Sequence, residues 1–323
     1  MAAPLLAALA FLAIAFASTR SLGEEGAVKV SPIAIPYRPT FGPFALTGVW
    51  EVESDHPRFG GYSALLPLAR GRLVAIGDRG YSLEIAPGPR PGAGIIRRLA
   101  PDAIYIETSL DSEAATADPV TGRRWIAWEG ENAITRHDRG SRQPQLAFPP
   151  AMSSWPRGRG AEAMVRLADG RFVVLREGFG VPDDMGLFGG RRHEALIFAR
   201  DPLTGTEPEH FWFAGPSGFS PVDMAQMPDG RVLVLMRRLV WPFPAKFAGR
   251  ILIADPRDIR PGAQWTGTRV ATLTTPLPFD NFEGLAIVPA ARGKLNIWLM
   301  SDDNRSPVQR TLIWRLAVDP AQL

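Results

Sequence analysis

The chain has 323 residues, of which 46% are hydrophobic and 21% are charged, a composition typical of a folded protein with a substantial core. It contains no cysteine, which excludes disulfide bonds and thiolate metal sites. The formal net charge is only +3 and no basic run is interleaved with aromatic residues, so nucleic acid is not an expected partner.

The N-terminal segment is short and apolar. Residues 5–17 carry no charge, and Ala15-Phe16-Ala17 has the small-x-small pattern of a signal cleavage site. The run is shorter than the roughly 20 residues that span a membrane. It predicts a signal peptide over residues 1–22 and an exported protein, periplasmic or secreted, without stable membrane insertion after cleavage. An uncleaved anchor is the alternative, because no Lys or Arg precedes the run.

An extended lead-in is predicted over residues 23–43, followed by a single domain over residues 44–323 in which one pattern recurs. Each copy has a Ser or a carboxylate, an apolar run, a Gly-Arg or Gly-Lys turn and a second apolar run. The copies begin at Ser63, Glu113, Glu162, Asp223 and Glu283, at intervals of 50, 49, 61 and 60 residues. The runs have the period of strands, and a repeat of about 40–60 residues made of short strands is typical of β-propeller blades.

Two further predicted strands lie outside the copies, Phe44–Glu53 near the N-terminus and Thr311–Val318 near the C-terminus. If they pair with each other, they close the ring and remove exposed sheet edges. The sequence therefore predicts an all-β fold, a propeller of six blades closed by its terminal strands. Five blades or an irregular number is the alternative, whereas an open β-sandwich does not explain the even spacing.

Acidic residues recur where the first strand of each copy begins and where the second strand ends. In an antiparallel hairpin these two points are adjacent, so the pattern predicts one ring of acidic residues at one end of the central pore of the propeller. We call this end the mouth. The ring comprises Asp78, Glu113, Glu129, Glu162, Glu177, Asp223, Glu283 and Asp302, with Arg79, Arg176 and Arg237 between them. Such a concentration of carboxylates favours a cation, most plausibly Ca²⁺, or neutralisation by the arginines. Hydrogen bonding at blade junctions is the structural alternative.

Other patterns of catalytic sites do not occur in the sequence. It lacks a G-x-S-x-G nucleophile motif, paired histidines at metal-ligand spacing and a phosphate-binding P-loop. The glycine-rich segment at residues 178–190 predicts a loop at the mouth, either a lid or a surface insertion.

Several segments resemble the phytase-like family, also described as having the esterase-like activity of phytase. They are Phe59-Gly-Gly-Tyr-Ser-Ala-Leu65, Ala75-Ile-Gly-Asp-Arg-Gly80, the strands of Glu113 and Glu162, Asn281-Phe-Glu-Gly-Leu-Ala286 and Ser301-Asp-Asp-Asn304. The resemblance extends over about residues 45–318. It implies an exported bacterial protein with a propeller-like fold that hydrolyses phosphoesters or carboxylic esters. The dense Asp-rich metal loops of a calcium-dependent propeller phytase do not occur in this sequence.

With this resemblance, the ring predicts a hydrolase for a small ester or phosphoester. The expected Ca²⁺ ligands are Glu113, Glu162, Glu283 and Asp302. The expected catalytic residues are Asp78, Glu129 or Glu177 as general base, and Arg79 and Arg237 as stabilisers of negative charge. The alternatives are a non-catalytic propeller that binds a ligand, a glycan or an envelope partner, and a calcium-dependent lactonase. A monomer is expected in each case.

Overall fold

The computed structural model describes residues 28–35, 37–88, 91–99, 111–141, 143–177, 192–242, 244–273 and 279–323. The predicted signal peptide (1–22) and the predicted mouth loop (178–190) lie outside these residues. Within them the secondary structure consists of strands and three-residue 3₁₀ turns, without an α-helix. Among the same residues no helix is long and apolar enough to cross a membrane.

The strands are short and follow one another through tight turns. The first twelve are β1 (Lys29–Pro32), β2 (Thr40–Phe41), β3 (Phe44–Glu53), β4 (Tyr62–Pro67), β5 (Leu73–Gly77), β6 (Tyr81–Ile85), β7 (Ile95–Arg98), β8 (Ser112–Ala117), β9 (Arg124–Trp128), β10 (Ala133–His137), β11 (Gln145–Ala147) and β12 (Ala161–Arg166). The others are β13 (Phe172–Arg176), β14 (Arg192–Phe198), β15 (Glu209–Ala214), β16 (Ser220–Gln226), β17 (Val232–Pro242), β18 (Ala245–Ala254), β19 (Gln264–Thr266), β20 (Thr268–Leu273), β21 (Asn281–Pro289), β22 (Leu295–Asp302) and β23 (Thr311–Val318).

The described strands form five sheets, which are the blades of a β-propeller. Blade 1 is β4-β5-β6-β7, blade 2 is β8-β9-β10-β11 and blade 3 is β12-β13-β14-β15 with β19. Blade 4 is β16-β17-β18-β20, and blade 5 is β21-β22-β23-β3-β1 with β2 beside β3. The innermost strands β4, β8, β12, β16 and β21 contact one another in this order, and β21 contacts β4. They form a closed ring around a narrow pore.

The terminal strands pair as the sequence predicted, since β3 is antiparallel to β23 with Trp50 opposite Ile313. The predicted number of six blades is wrong, however, because the described strands form five. The last sequence copy supplies only two strands, β21 and β22, and β23 and β3 complete their blade instead of forming another. Residues 29–32, in the predicted lead-in, add β1 along β3.

Most of the core lies between neighbouring blades, where apolar side chains from facing sheets interdigitate. At the closing blade, the buried Trp314 of β23 stacks on Phe41 at 5.5 Å between ring centroids and contacts Phe282 at 4.9 Å. These contacts join both ends of the chain to the innermost strand β21. The ring is therefore held closed by side-chain packing as well as by the backbone hydrogen bonds of β3 and β23.

Candidate functional site

Each innermost strand carries a β-bulge at the equivalent point of the repeat, one or two residues after the strand begins at the mouth. The extra residues are Ser63, Glu113, Glu162, Val222 and Glu283. A bulge redirects the side chain of the extra residue and ends regular pairing. Because the bulges occupy equivalent positions, three glutamates and a serine are presented at one level of the ring.

A second ring comes from the strand next to each innermost strand. In blade 1, for example, Tyr62 precedes the bulge and pairs with Gly77, and the next residue, Asp78, belongs to the second ring. The other blades follow the same rule. The members of the second ring are Asp78, Glu129, Glu177, Arg237 and Asp302. Asp302 lies at the equivalent position although its distance from the turn glycine is nine residues instead of seven. Blade 4 differs from the others because it supplies Val222 and Arg237 in place of acidic residues.

The glutamates of the first ring influence one another across the pore. Burial raises the pKa values of Glu113 and Glu162 well above their ordinary range, and neighbouring carboxylates raise them further. For Glu113 those neighbours include Glu162 and Glu283, which come from blades 3 and 5. Carboxylates from three blades therefore form one cluster, whose ionised form requires positive charge nearby.

Arg237 supplies positive charge to this cluster. Its Nη1 forms an ion pair with Oε1 of Glu283 and donates to Oδ1 of Asn281 at 3.2 Å, while Nη2 lies 3.8 Å from Oε1 of Glu177. Asn281 also donates from Nδ2 to Oε1 of Glu283 at 2.7 Å. Burial lowers the pKa of Arg237. The nearby carboxylates raise it by more than burial lowers it, so the guanidinium remains charged; they belong to Glu283, Glu162, Glu177 and Glu113.

Among the described residues, two groups of three carboxylates have a spacing that could hold a metal ion. In the first, one oxygen each from Asp111, Glu113 and Glu129 lie within 4.8 Å of one another, and in the second the same holds for Glu129, Glu162 and Glu177. Glu129 belongs to both groups. Oxygen-rich, acidic sets of this kind suit a hard cation such as Ca²⁺. Sequence reasoning missed Asp111, although its position two residues before Glu113 could have indicated it.

Glu129 is held at the start of a 3₁₀ turn, Glu129–Glu131, where β9 ends. Its Oε1 accepts a hydrogen bond from the backbone N–H of Gly160 in blade 3, at 2.7 Å. A Cβ on Gly160 would lie 2.7 Å from Oδ1 of Asn132 and 3.0 Å from Cγ of Glu129, so only glycine allows this approach. Burial raises the pKa of Glu129 to about 7, with Glu177 and Asp111 adding to the effect.

Asp302 and Asp78 lie on the blade 5 and blade 1 side of the mouth. Burial raises the pKa of Asp302 to about 8, with Glu283 adding to it, although the N–H of Asn304 donates to its Oδ1 at 2.8 Å. Asp78 forms an ion pair with Arg305 of blade 5, while Arg79 is exposed. Asp78 thus joins blade 1 to blade 5 at the edge of the cluster.

The Gly-Gly pair of the Phe59–Leu65 segment fits closely against this junction. Gly61 has a φ of +68°, and a Cβ there would lie 2.5 Å from Oδ1 of Asp78. Its N–H donates to Oδ1 of Asp303 at 3.3 Å. The segment's glycines therefore have a structural role at the contact between blades 1 and 5.

Two residues of the predicted ring lie elsewhere. Arg176 donates to Glu194 of its own blade at 2.8 Å. Asp223 follows the bulge residue and lies deeper, where its carboxylate accepts from the backbone N–H groups of Leu65 (3.3 Å), Met224 (2.8 Å) and Leu285 (2.6 Å). Burial raises the pKa of Asp223 despite these donors. It connects three innermost strands, β4, β16 and β21, and is not part of the mouth.

Comparisons with known proteins give one family and several solved structures. The family model for "Phytase-like: Esterase-like activity of phytase" matches residues 57–305. No curated protein matches the chain. Among solved structures, a gluconolactonase from Xanthomonas campestris is 15% identical, with 89% of this chain and 97% of that chain covered and a TM-score of 0.44. A PQQ-bound aldose sugar dehydrogenase from Streptomyces coelicolor is 14% identical, with 91% and 99% covered and a TM-score of 0.43.

Proposed function

The chain belongs to the phytase-like family, and from this membership and the geometry of the mouth we propose that it hydrolyses a small phosphoester or carboxylic ester in a Ca²⁺-dependent reaction. The observation that carries the proposal is the convergence of carboxylates from blades 2, 3 and 5 around one arginine. Such a cluster is costly to ionise without a cation, and it is open to solvent at the mouth, where Glu177 is 31% exposed.

The cation would be held by the two groups that share Glu129. Each group supplies three carboxylate oxygens at the spacing that one ion requires, from Asp111, Glu113 and Glu129 or from Glu129, Glu162 and Glu177. This assignment keeps Glu113 and Glu162 as the ligands predicted from sequence. It moves Glu129 and Glu177 from the predicted catalytic set to the ligands, and it leaves Glu283 to Arg237. Bound there, Ca²⁺ supplies Lewis acidity to an ester oxygen and to water.

Two residues outside the groups would act on the substrate. Asp302, predicted from sequence as a metal ligand, is the general base in this proposal, because its pKa of about 8 favours proton transfer near neutral pH. Arg237 remains charged and has further N–H donors beyond those used by Glu283 and Asn281, so it can stabilise negative charge on an oxyanion. Asp78 and Arg79 would contact the leaving group or the rim.

Calorimetric titration of Ca²⁺ into chelator-treated protein tests the metal site. We expect binding that Glu113→Gln/Glu162→Gln abolishes. Asp169→Asn, in the exposed turn between β12 and β13 at the opposite end, is the matched control and should leave binding unchanged. No binding in the unmodified protein would contradict the metal role and indicate that Arg237 and protonation neutralise the acids.

Hydrolysis is tested with a panel of phosphate monoesters, carboxylic esters and lactones, with and without chelator. We expect turnover that the chelator removes. Asp302→Asn should lower kcat by about 10²- to 10⁴-fold while Ca²⁺ affinity is retained, because a general base contributes on this scale. If Ca²⁺ binds and no ester, phosphoester or lactone is hydrolysed, the protein is a binding propeller and the hydrolase proposal is wrong.

A further inference from the structure

The hairpin of β17 and β18 extends beyond its blade at the mouth end. β17 pairs with β16 as far as Arg237, opposite Ser220, and β18 pairs with β20 only from Gly249 onward. Between these points, Arg238–Pro242 pairs with Ala245–Ala248 and, in the described part of the chain, with no other strand. The hairpin tip is therefore a two-stranded ribbon outside the sheet, an arrangement that is marginally stable without a further contact.

The tip carries exposed apolar side chains. Leu239, Val240 and Trp241 are consecutive and are 40%, 52% and 58% exposed. A β-bulge between Leu239 and Trp241 leaves Val240 unpaired, and the three side chains form one exposed apolar run at the tip. Two other exposed apolar side chains, Phe148 and Val308, lie at the same end of the propeller. An exposed group of this kind marks an interaction surface.

The base of the same hairpin carries positive charge without acidic partners. Arg238 and Arg250 lie over the ring of the buried Phe219, at 5.0 Å and 4.2 Å from its centroid. Arg269 is close enough, with Arg238, to lower the pKa of Arg250, whose burial is the main cause of the shift. Residues 237–254 contain no Asp or Glu.

These arginines lack the acidic partners that Arg237 and Arg305 have. Within the described ranges, none of Arg238, Arg250 and Arg269 forms an ion pair, and the buried Nε atoms of Arg238 and Arg250 have no acceptor. Phe219 fixes two of the guanidinium groups in place through cation–π contacts. Within the described residues, this fixed group of like charges therefore has unused donors that suit an external anion.

We propose that this hairpin docks the protein reversibly on the surface of an anionic phospholipid bilayer. Trp241 is three residues from Arg238, about 10 Å along a strand, which matches the 5–10 Å to which interfacial segments enter a bilayer. With the tip at the acyl boundary, Arg238 lies at the level of the headgroup phosphates, and Arg250 and Arg269 lie on successive rungs behind it, on the water side. Lys246, which is exposed and pairs with Trp241, adds a further positive charge near the tip.

Docking in this way has a consequence for the pore. Arg237 belongs to the second ring of the mouth and directly precedes Arg238 at the base of the hairpin. The mouth would therefore open next to the lipid surface. This inference does not depend on hydrolase activity or on Ca²⁺ in the pore.

The depth of the tip is measured directly because the chain has no cysteine, so a single introduced thiol labels one position. In the full chain, Trp241→Cys carrying an environment-sensitive NBD fluorophore should brighten and shift to the blue with phosphatidylglycerol/phosphatidylcholine vesicles. It should not change with phosphatidylcholine alone. Val120→Cys, 90% exposed in the turn between β8 and β9 at the opposite end, is the control and should not respond. A tip label that stays in water while the protein sediments with vesicles would overturn the proposal, whatever segment holds the protein there.

The charge contribution is tested with matched triple variants in the full chain. Each basic residue near an anionic surface strengthens binding about fivefold, so Arg238→Gln/Arg250→Gln/Arg269→Gln should weaken partitioning on the order of a hundredfold. The control removes the same charge from exposed turns at the opposite end, Arg70→Gln/Arg123→Gln/Arg292→Gln, and should have little effect. Thermal melts verify that both proteins are folded. Equal weakening in the two variants would mean non-specific attraction and would also overturn the proposal.

Discussion

Arg237 determines the charge balance of the pore, because it is the residue by which blade 4 departs from the pattern of the other blades. Where they supply acids, it supplies a guanidinium between Glu177 of blade 3 and Glu283 of blade 5. Its own blade contributes Val222, so the acids that it compensates all belong to neighbours. The second ring thus has four acidic residues and, at its fifth position, one fixed cation.

Arg237→Gln should lower the free energy of unfolding by about 3–5 kcal/mol at pH 8 in chelator, since it leaves buried carboxylates without their partner. The loss should be smaller at pH 5, where Glu283 and Glu162, whose pKa values are raised by burial, bind protons more readily. Urea denaturation at both pH values measures this difference. In Arg237→Gln/Glu283→Gln part of the stability should return, and an equal loss at the two pH values would contradict the charge argument.

At the scale of strands, much of the structure could be predicted from sequence because local rules determine it. Second strands such as Leu73–Gly77 and Phe172–Arg176 form where apolar runs follow a turn glycine with positive φ, as at Gly71 and Gly170. The terminal strands pair as predicted, but the blade number was wrong because β23 also pairs with β22, so the closing strands complete the blade of the last copy. Periodicity within a strand carries no information about which distant strand lies beside it.

Register explains the remaining differences in the site. The sequence aligned Asp223 with Glu113, Glu162 and Glu283, but the bulge of blade 4 falls one residue earlier, on Val222. A shift of one residue turns a strand side chain to another direction, so Asp223 binds backbone N–H groups instead of facing the mouth. Glu129 belongs to both groups of possible metal ligands because residues of blades 2 and 3 lie close together. The sequence of a single repeat does not reveal such contacts between blades.

The closing blade also gives a prediction at this scale. Trp314 is fully buried between Phe41, Phe279 and Phe282, so Trp314→Ala removes packing that joins the first and last strands. We expect a loss of about 3–5 kcal/mol in unfolding free energy. Hydrogen exchange should accelerate first in β3 and β23, and later in blade 2. Uniform acceleration in all blades would show that the closure is not a separate unit.

For the whole molecule, the ring geometry couples stability to the protonation of the pore. Burial raises the pKa of Glu129 to about 7 and that of Asp302 to about 8, and it also raises those of Glu113 and Glu162. A group whose folded-state pKa is raised binds its proton more tightly in the folded protein. Its contribution is complete below the unfolded pKa near 4 and is lost as pH rises through the folded value.

Metal-free protein should therefore be less stable at pH 8 than at pH 5. The shift of Glu129 from 4.5 to about 7 alone corresponds to about 3 kcal/mol. Ca²⁺ at a hundredfold excess over its Kd should return about 2.7 kcal/mol at pH 8, where the carboxylates are free to bind it, and less at pH 5. Differential scanning calorimetry with chelator, with CaCl₂ and with NaCl of equal ionic strength measures each contribution. If the metal-free protein were equally stable at both pH values, the carboxylates of the five blades would not act as one titrating cluster, and the cation would have no site to stabilise.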